Sequence, residues 1–201
     1  LNTNRLAYFW KNKKIIKIHG ITCPPLANMC RVHIRILPYI RRKMPRIELQ
    51  TEIKAEKEIV FDLSRSIDLH KISTEHTHEE AIAGKTSGLI GMNETVTWRA
   101  KHFGIYQKLT SKITEYNRPN NFTDEMQKGA FSEFKHEHHF EDFNGGTLMT
   151  DCFDYKSPFG IFGKLADKFF LEKYMTELLM KRNQTVKEFA ESGKWKELTI
   201  E

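Results

Sequence analysis

Apolar positions recur at intervals of three and four along residues 157–191, SPFGIFGKLADKFFLEKYMTELLMKRNQTVKEFAE. Phe162, Leu165, Ala166, Phe169, Phe170, Leu178, Leu179, Val186 and Phe189 fall on one stripe. Lys164, Lys168, Glu172, Lys173, Glu177 and Lys181 fall behind it, so the pattern predicts one long amphipathic helix. Ser157-Pro158 opens it, with a hydroxyl to cap free amides and then a residue whose φ is preset for the first turn. At 1.5 Å per residue the stripe is roughly 40 Å long and needs an apolar surface to match. Only a sheet could supply it.

The rest of the pattern supplies that sheet. Ile47, Leu49, Thr51 and Ile53 alternate with Glu48, Gln50, Glu52 and Lys54, which predicts a half-buried strand. Residues 56–64 switch to helical spacing, and a second short helix follows around 67–71; the pair reads as a corner support. Six more strand-like runs follow, at 78–84, 94–102, 105–116, 122–128, 132–142 and 147–155. They are separated by Gly, Pro or Asn signals such as Asn117-Arg118-Pro119 and Asn144-Gly145-Gly146. Turns this short pair consecutive strands antiparallel. The expectation is an α+β domain, β-α-α-β6-α, with a seven-stranded antiparallel sheet curved around one long C-terminal helix.

These words resemble a known family. IELQTEIKAEKEIVFDLSRSIDLH, EAIAGKTSGLIGMNETVTW, HFGIYQKLTSKITEYNRP, KHEHHF and DYKSPFGIFGKLADKFFLEKYM are similar to the SRPBCC superfamily. This is the START-like, helix-grip fold, and the words look most like its bacterial ligand-binding, polyketide cyclase/dehydrase-like branch. The resemblance spans about 44–191 and implies a cavity between sheet and helix. It also implies that GKTSGLIGMN lies near the cavity mouth, with Leu89, Ile90 and Met92 as a greasy lid. It does not choose among binders, transporters and enzymes, which share the scaffold.

Strand alternation indicates which side chains face the helix. One face holds Val96, Trp98, Ala100 and His102; others hold Gln107, Leu109, Ser111 and Ile113, then Phe122, Asp124, Met126 and Lys128. The histidine strand directs Phe134, His136, His138 and Phe140 inward, and the last strand Met149, Asp151, Phe153 and Tyr155. The makeup is that of a small-molecule pocket, greasy with a few orienting polar groups. The expected ligand contacts are Trp98, Gln107, Lys128, Phe134, His136, His138, Phe140, Phe162, Leu165 and Phe169. The expected partner is a hydrophobic small molecule: a lipid, a quinone or a polyketide-like chain. The polar groups could instead pair among themselves in a filled core, leaving an interaction domain. A third reading is a cyclase/dehydratase-type enzyme with His136 or His138 and Asp151 as acid and base.

His136-x-His138, with Asp151 as a third ligand, has metal spacing, but such a pair alone is weakly specific, and no metal or other cofactor is expected. HKISTEHTHEE reads as surface loop. Gly84-Lys85-Thr86 lacks the preceding glycine spacing of a phosphate loop.

Composition changes the picture in one place. Residues 1–43 hold ten basic and no acidic residues, whereas the whole chain of 201 has 32 basic and 26 acidic. The net +6 therefore sits in that segment, and the remainder is acidic, so nucleic-acid binding is not expected. Residues 1–43 read as a basic, disordered or non-native upstream segment before Met44-Pro45-Arg46, with a basic arm or a targeting peptide as alternatives. The ligand-binding domain is expected over 44–192 and a tail over 193–201. Cys23, Cys30 and Cys152 are too few and scattered for a disulfide framework, and Cys152 reads as a small core or cavity-wall residue. No run of 18 apolar residues is present. A cytoplasmic protein is the expectation.

Overall fold

The computed structural model describes residues 44–157 and 170–198. Seven strands follow in chain order: β1 (Arg46–Ile53), β2 (Glu80–Gly84), β3 (Thr95–His102), β4 (Ile105–Asn117), β5 (Asn121–Lys128), β6 (Glu133–Phe143) and β7 (Gly146–Lys156). Helices α1 (Lys57–Ser64) and α2 (Ile67–Ser73) and a 3-10 turn, Glu75–Thr77, lie between β1 and β2, and α3 (Glu172–Ser192) follows β7. The opening turns of the expected long helix, with Phe162, Leu165 and Phe169, fall outside the described residues.

The strands form one antiparallel sheet in the order β1-β7-β6-β5-β4-β3-β2. This is the expected helix-grip α+β architecture. Strands β2 to β7 are a meander, and each tight turn has its chemistry in the sequence. Asn144 and Gly145, both at positive φ, join β6 to β7 in two residues, the backbone that a hairpin turn of this length demands. Strand β1 pairs with β7, so α1 and α2 carry the chain from one edge of the sheet to the other.

Helix α1 ends where Ser66 caps α2, its side chain accepting from the Leu69 amide at 3.2 Å. The buried Val60, Phe61 and Leu63 of α1 and Ile67 and Leu69 of α2 enter a core with Trp98, Phe122 and Phe140 of the sheet. A second cluster gathers Ile47, Phe134, Phe153 and Tyr155 against Met175 and Leu179 of α3. On α3 the buried positions run Met175, Leu179, Asn183, Val186 and Ala190, the expected period with an amide in its middle. Phe170, expected on this stripe, is exposed and packs on Phe103 and Tyr174. Within the segment expected as a tail, Trp195 and Leu198 pack against the first cluster.

Asp62 ties α1 to its neighbours. It accepts from Nη2 of Arg118 at 2.6 Å, in the turn after β4, and from Nε of Arg65 at 2.9 Å. Burial pushes its carboxyl up, but the two guanidinium groups outweigh this and hold it below the usual range. A depressed folded pKa contributes stability above the unfolded carboxylate pKa, which is lost as pH falls through the folded value. Asp62→Asn is therefore expected to cost on the order of 2 kcal/mol at neutral pH, an outer figure because Arg118 is partly solvated. Urea titrations across the acid range should show the variant's deficit shrinking as pH drops.

Candidate cavity and its two polar poles

The two core clusters meet through Leu109 but leave a cavity beside it. Between sheet and α3 lies a cavity of about 500 Å³, walled by both. Ile90, Val96, Trp98, Ile113 and Phe122 come from the first side, and Phe134, Phe153, Met175 and Leu179 from the second, with Ala100 of β3 also on the wall. Ile67 and His70 of α2 and its C-cap Thr74 also line it, so the short helices build the site and are not merely a corner support. The glycine-rich stretch is pinned to them: Ile67 N–H donates to Gly88 O, and Ile90 N–H to Arg65 O. Ile90 lines the cavity, while Met92 is exposed.

One polar pole stands on β5, β6 and β7. Antiparallel register sets His136 beside Asp124 and His138 beside Asp151 on the inner face. The imidazoles lie 3.9 Å apart, centroid to centroid, with a carboxylate at each edge. Asp151 Oδ1 is 3.1 Å from His136 Nε2 and 2.6 Å from His138 Nδ1. Asp124 Oδ1 is 3.2 Å from His138 Nε2 and 3.8 Å from His136 Nδ1. Asn183 of α3 donates to Asp151 Oδ2 at 2.7 Å, and Arg182 comes within 3.8 Å of Oδ1. Burial pushes Asp151 up, yet the His138 charge and the imidazole hydrogen bonds bring it well below the usual range. Burial lowers His138, but the two carboxylates raise it overall; burial and the neighbouring His138 charge lower His136. The pair is thus split into one imidazole that favours charge and one that disfavours it.

The other pole lies under α2. The His70 ring stacks on Trp98 at 4.2 Å, and its Nε2 is 3.4 Å from Glu79 Oε2. Glu79 is nearly buried and lines the cavity. Burial raises its carboxyl, but His70 and a Thr74 hydrogen bond hold it below the usual range. His102 Nδ1 meets the Tyr174 hydroxyl at 2.7 Å, and burial lowers that imidazole.

Of the expected ligand contacts, Trp98, Gln107, Phe134 and His136 line the cavity. His138 stands behind the wall as the partner of His136, and Phe140 packs into the first core cluster. Lys128 is exposed and belongs to the opposite face. Between Ser111–Met126 and Thr110–Lys128 the β4–β5 register slips by one residue, and this bulge turns Lys128 outward beside Thr110. Cys152 is buried but pairs with Glu48 and Glu137 on the outer face, beneath Arg46, and so is not a cavity-wall residue.

The HKISTEHTHEE stretch is a surface loop only in part: His76 and His78 are exposed, but the run is not all solvated. It continues α2 and the 3-10 turn and delivers His70, Thr74 and Glu79 to the cavity. Sequence reasoning missed Glu79, His70, Tyr174, Arg182 and Asn183. For Asn183 the signal was present, an amide at a buried position of the α3 stripe.

Comparison of the fold with solved structures then settles its kind. A START superfamily protein from Mycobacterium smegmatis matches with a TM-score of 0.55 and 12% identity, over 71% of this chain and 97% of that one. The chain has the helix-grip fold. A Thermus thermophilus protein matches at 22% identity and a TM-score of 0.57, over 71% of this chain and 97% of its own. The di-domain ARO/CYC StfQ from the steffimycin biosynthetic pathway matches at 11% identity and a TM-score of 0.62, over 77% of this chain and 53% of that one. No family model and no curated protein matches the sequence. No helix among the described residues is long and apolar enough to cross a membrane.

Proposed function

We propose that the protein binds a hydrophobic small molecule in the cavity between sheet and C-terminal helix. The observation that carries this reading is a space of about 500 Å³ whose wall is largely aromatic and aliphatic, with buried histidine–carboxylate pairs at two places on it. Trp98 and Phe134 form the greasy wall, and His136 and Asp124 at one pole, His70 and Glu79 at the other, and Gln107 of β4 beside Ala100 orient the polar parts of the guest. A lipid, quinone or polyketide-like chain has the matching division into long apolar body and small polar head. The buried free thiol of Cys152 is in keeping with a reducing, cytoplasmic setting.

A second reading has one specific observation in its favour. His136 and Asp124 both face the cavity and belong to a network whose imidazoles are driven apart in basicity, as acid–base catalysis requires. In a cyclase/dehydratase reading, His136 with His138 and Asp151 behind it would move the proton.

The test begins with Ala100, whose small side chain sits on the cavity wall. Wild-type protein is expected to bind the apolar fluorophore anilinonaphthalene sulfonate, and Ala100→Phe to weaken that binding about tenfold or more, roughly 1.4 kcal/mol. Its thermal midpoint should stay close to wild type. In a filled core the same substitution would destabilise by about 1–3 kcal/mol. Native mass spectrometry of protein purified from cells should show an adduct that Ala100→Phe loses. Turnover of the extracted molecule would favour the enzyme; its unchanged return would favour the binder. No fluorophore binding and no adduct would overturn both.

A further inference from the structure

We propose that Asp124, His136 and His138 form a binding site for a divalent transition-metal ion of the zinc type on the cavity wall. One donor atom from each lies within 4.8 Å of the other two. The individual edges are closer still to what an ion needs. Ligand bonds of about 2.0–2.2 Å place neighbouring donors roughly 3–3.5 Å apart in tetrahedral or octahedral sites. His138 Nε2 and Asp124 Oδ1 are 3.2 Å apart, and His136 Nδ1 and Asp124 Oδ1 are 3.8 Å apart. The ion takes the place of the proton that His138 Nε2 shares with Asp124.

The stronger argument is what stands behind the histidines. A metal-binding imidazole donates its other ring N–H to a carboxylate that fixes its orientation. Here Asp151 meets the far nitrogen of both rings, Nε2 of His136 and Nδ1 of His138, and is held in turn by Asn183. Asp151, which the sequence pattern offers as a third ligand, is therefore a positioning residue. The third ligand is Asp124, one strand away.

The donor set has three members, two imidazoles and one carboxylate, which leaves coordination positions open. Asp124 and His136 both line the cavity, so the open positions face it. Resting here on the binding reading above, we infer that the guest carries an oxygen donor, such as a carboxylate, enolate or catechol, that completes the shell.

The site can be tested without knowing the guest. Full-length chain freed of metal with a chelator is titrated with Co²⁺ as a spectroscopic probe, and Zn²⁺ retention is measured by equilibrium dialysis. One equivalent should give a visible ligand-field band that Zn²⁺ displaces. Asp124→Ala and His136→Gln should each lose that equivalent while keeping the wild-type circular dichroism spectrum. Asp124 is partly open to the cavity, so its variant should fold even if a histidine variant does not. Acetohydroxamate, a small oxygen chelator, should shift the band of the Co²⁺ protein.

A wild-type chain that retains no ion overturns the site, as does an equivalent that survives in Asp124→Ala. A band insensitive to acetohydroxamate overturns the cavity-facing positions. The fluorophore result above is independent, so a failed metal site and a failed cavity give different outcomes.

Discussion

Asp151→Ala is expected to cost about 3–5 kcal/mol, because it removes one member of a buried charged network and leaves the others unpaired. The carboxylate is 1% exposed and serves His136, His138, Asn183 and Arg182 together. Those groups come from β6 and α3, so the loss uncouples the helix from the sheet at mid-cavity. Water entering through the cavity could hydrate His136, which lines it, but His138 is 1% exposed and would keep its burial without its carboxylate. Asp151→Asn retains the shape and one acceptor, and should cost less, about 1–3 kcal/mol. Urea unfolding midpoints, with the slope checked for constancy, measure both. Equal losses below about 1 kcal/mol would show that α3 is held without this network, by its apolar contacts and its other polar contacts to α1 and to β1 and its end.

That network explains why part of the site was legible and part was not. The two-residue period of a strand points His136, His138 and Asp151 to one face wherever the register is unbroken, and β6 and β7 pair without a slip. The inward set Val96, Trp98 and Ala100 on β3 is legible for the same reason. Lys128 fails because a bulge leaves no mark in alternation. Its one trace is Gly129, where an added Cβ would come within 2.3 Å of Leu109 Cδ1, so the chain turns away there against a packed side chain.

The α2 pole fails for a different reason. Between Lys71 and Glu80 polar residues dominate, and local pattern reads them as solvated. What buries Glu79 is tertiary: the His70 ring stacks on Trp98, from a strand that follows it by 28 positions (98 − 70), and brings the carboxylate under the helix. Asp124 was placed on the correct face, but its partnership with both histidines depends on the lateral β5–β6 register, which a single strand's sequence does not contain.

Phe61→Ala is expected to be as damaging as the loss of Asp151, by a different route. Phe61 is fully buried on α1, and its ring meets Tyr116, Phe122 and Phe140 edge-on at 5.3–5.5 Å. It is the one element of the helical layer that touches three strands of the sheet through aromatic edges, among the described residues. Truncation should cost about 3–5 kcal/mol, the transfer of a ring plus the void it leaves.

The functional consequence follows from where that void opens. Phe122 lines the cavity and also stacks on His138 at 4.2 Å, so its position is shared between the apolar wall and the polar network. With Phe61 gone, Phe122 loses its backing and can tilt away from His138. A Phe61→Leu variant, which refills most of the volume without the aromatic edges, should recover most of the stability but not the fixed packing of Phe122. Chemical denaturation of both variants, set beside fluorophore affinity, separates the two effects. Stability restored by leucine with affinity still altered would make Phe61 a support of the cavity wall. Parallel recovery of both would reduce it to a filler of the core.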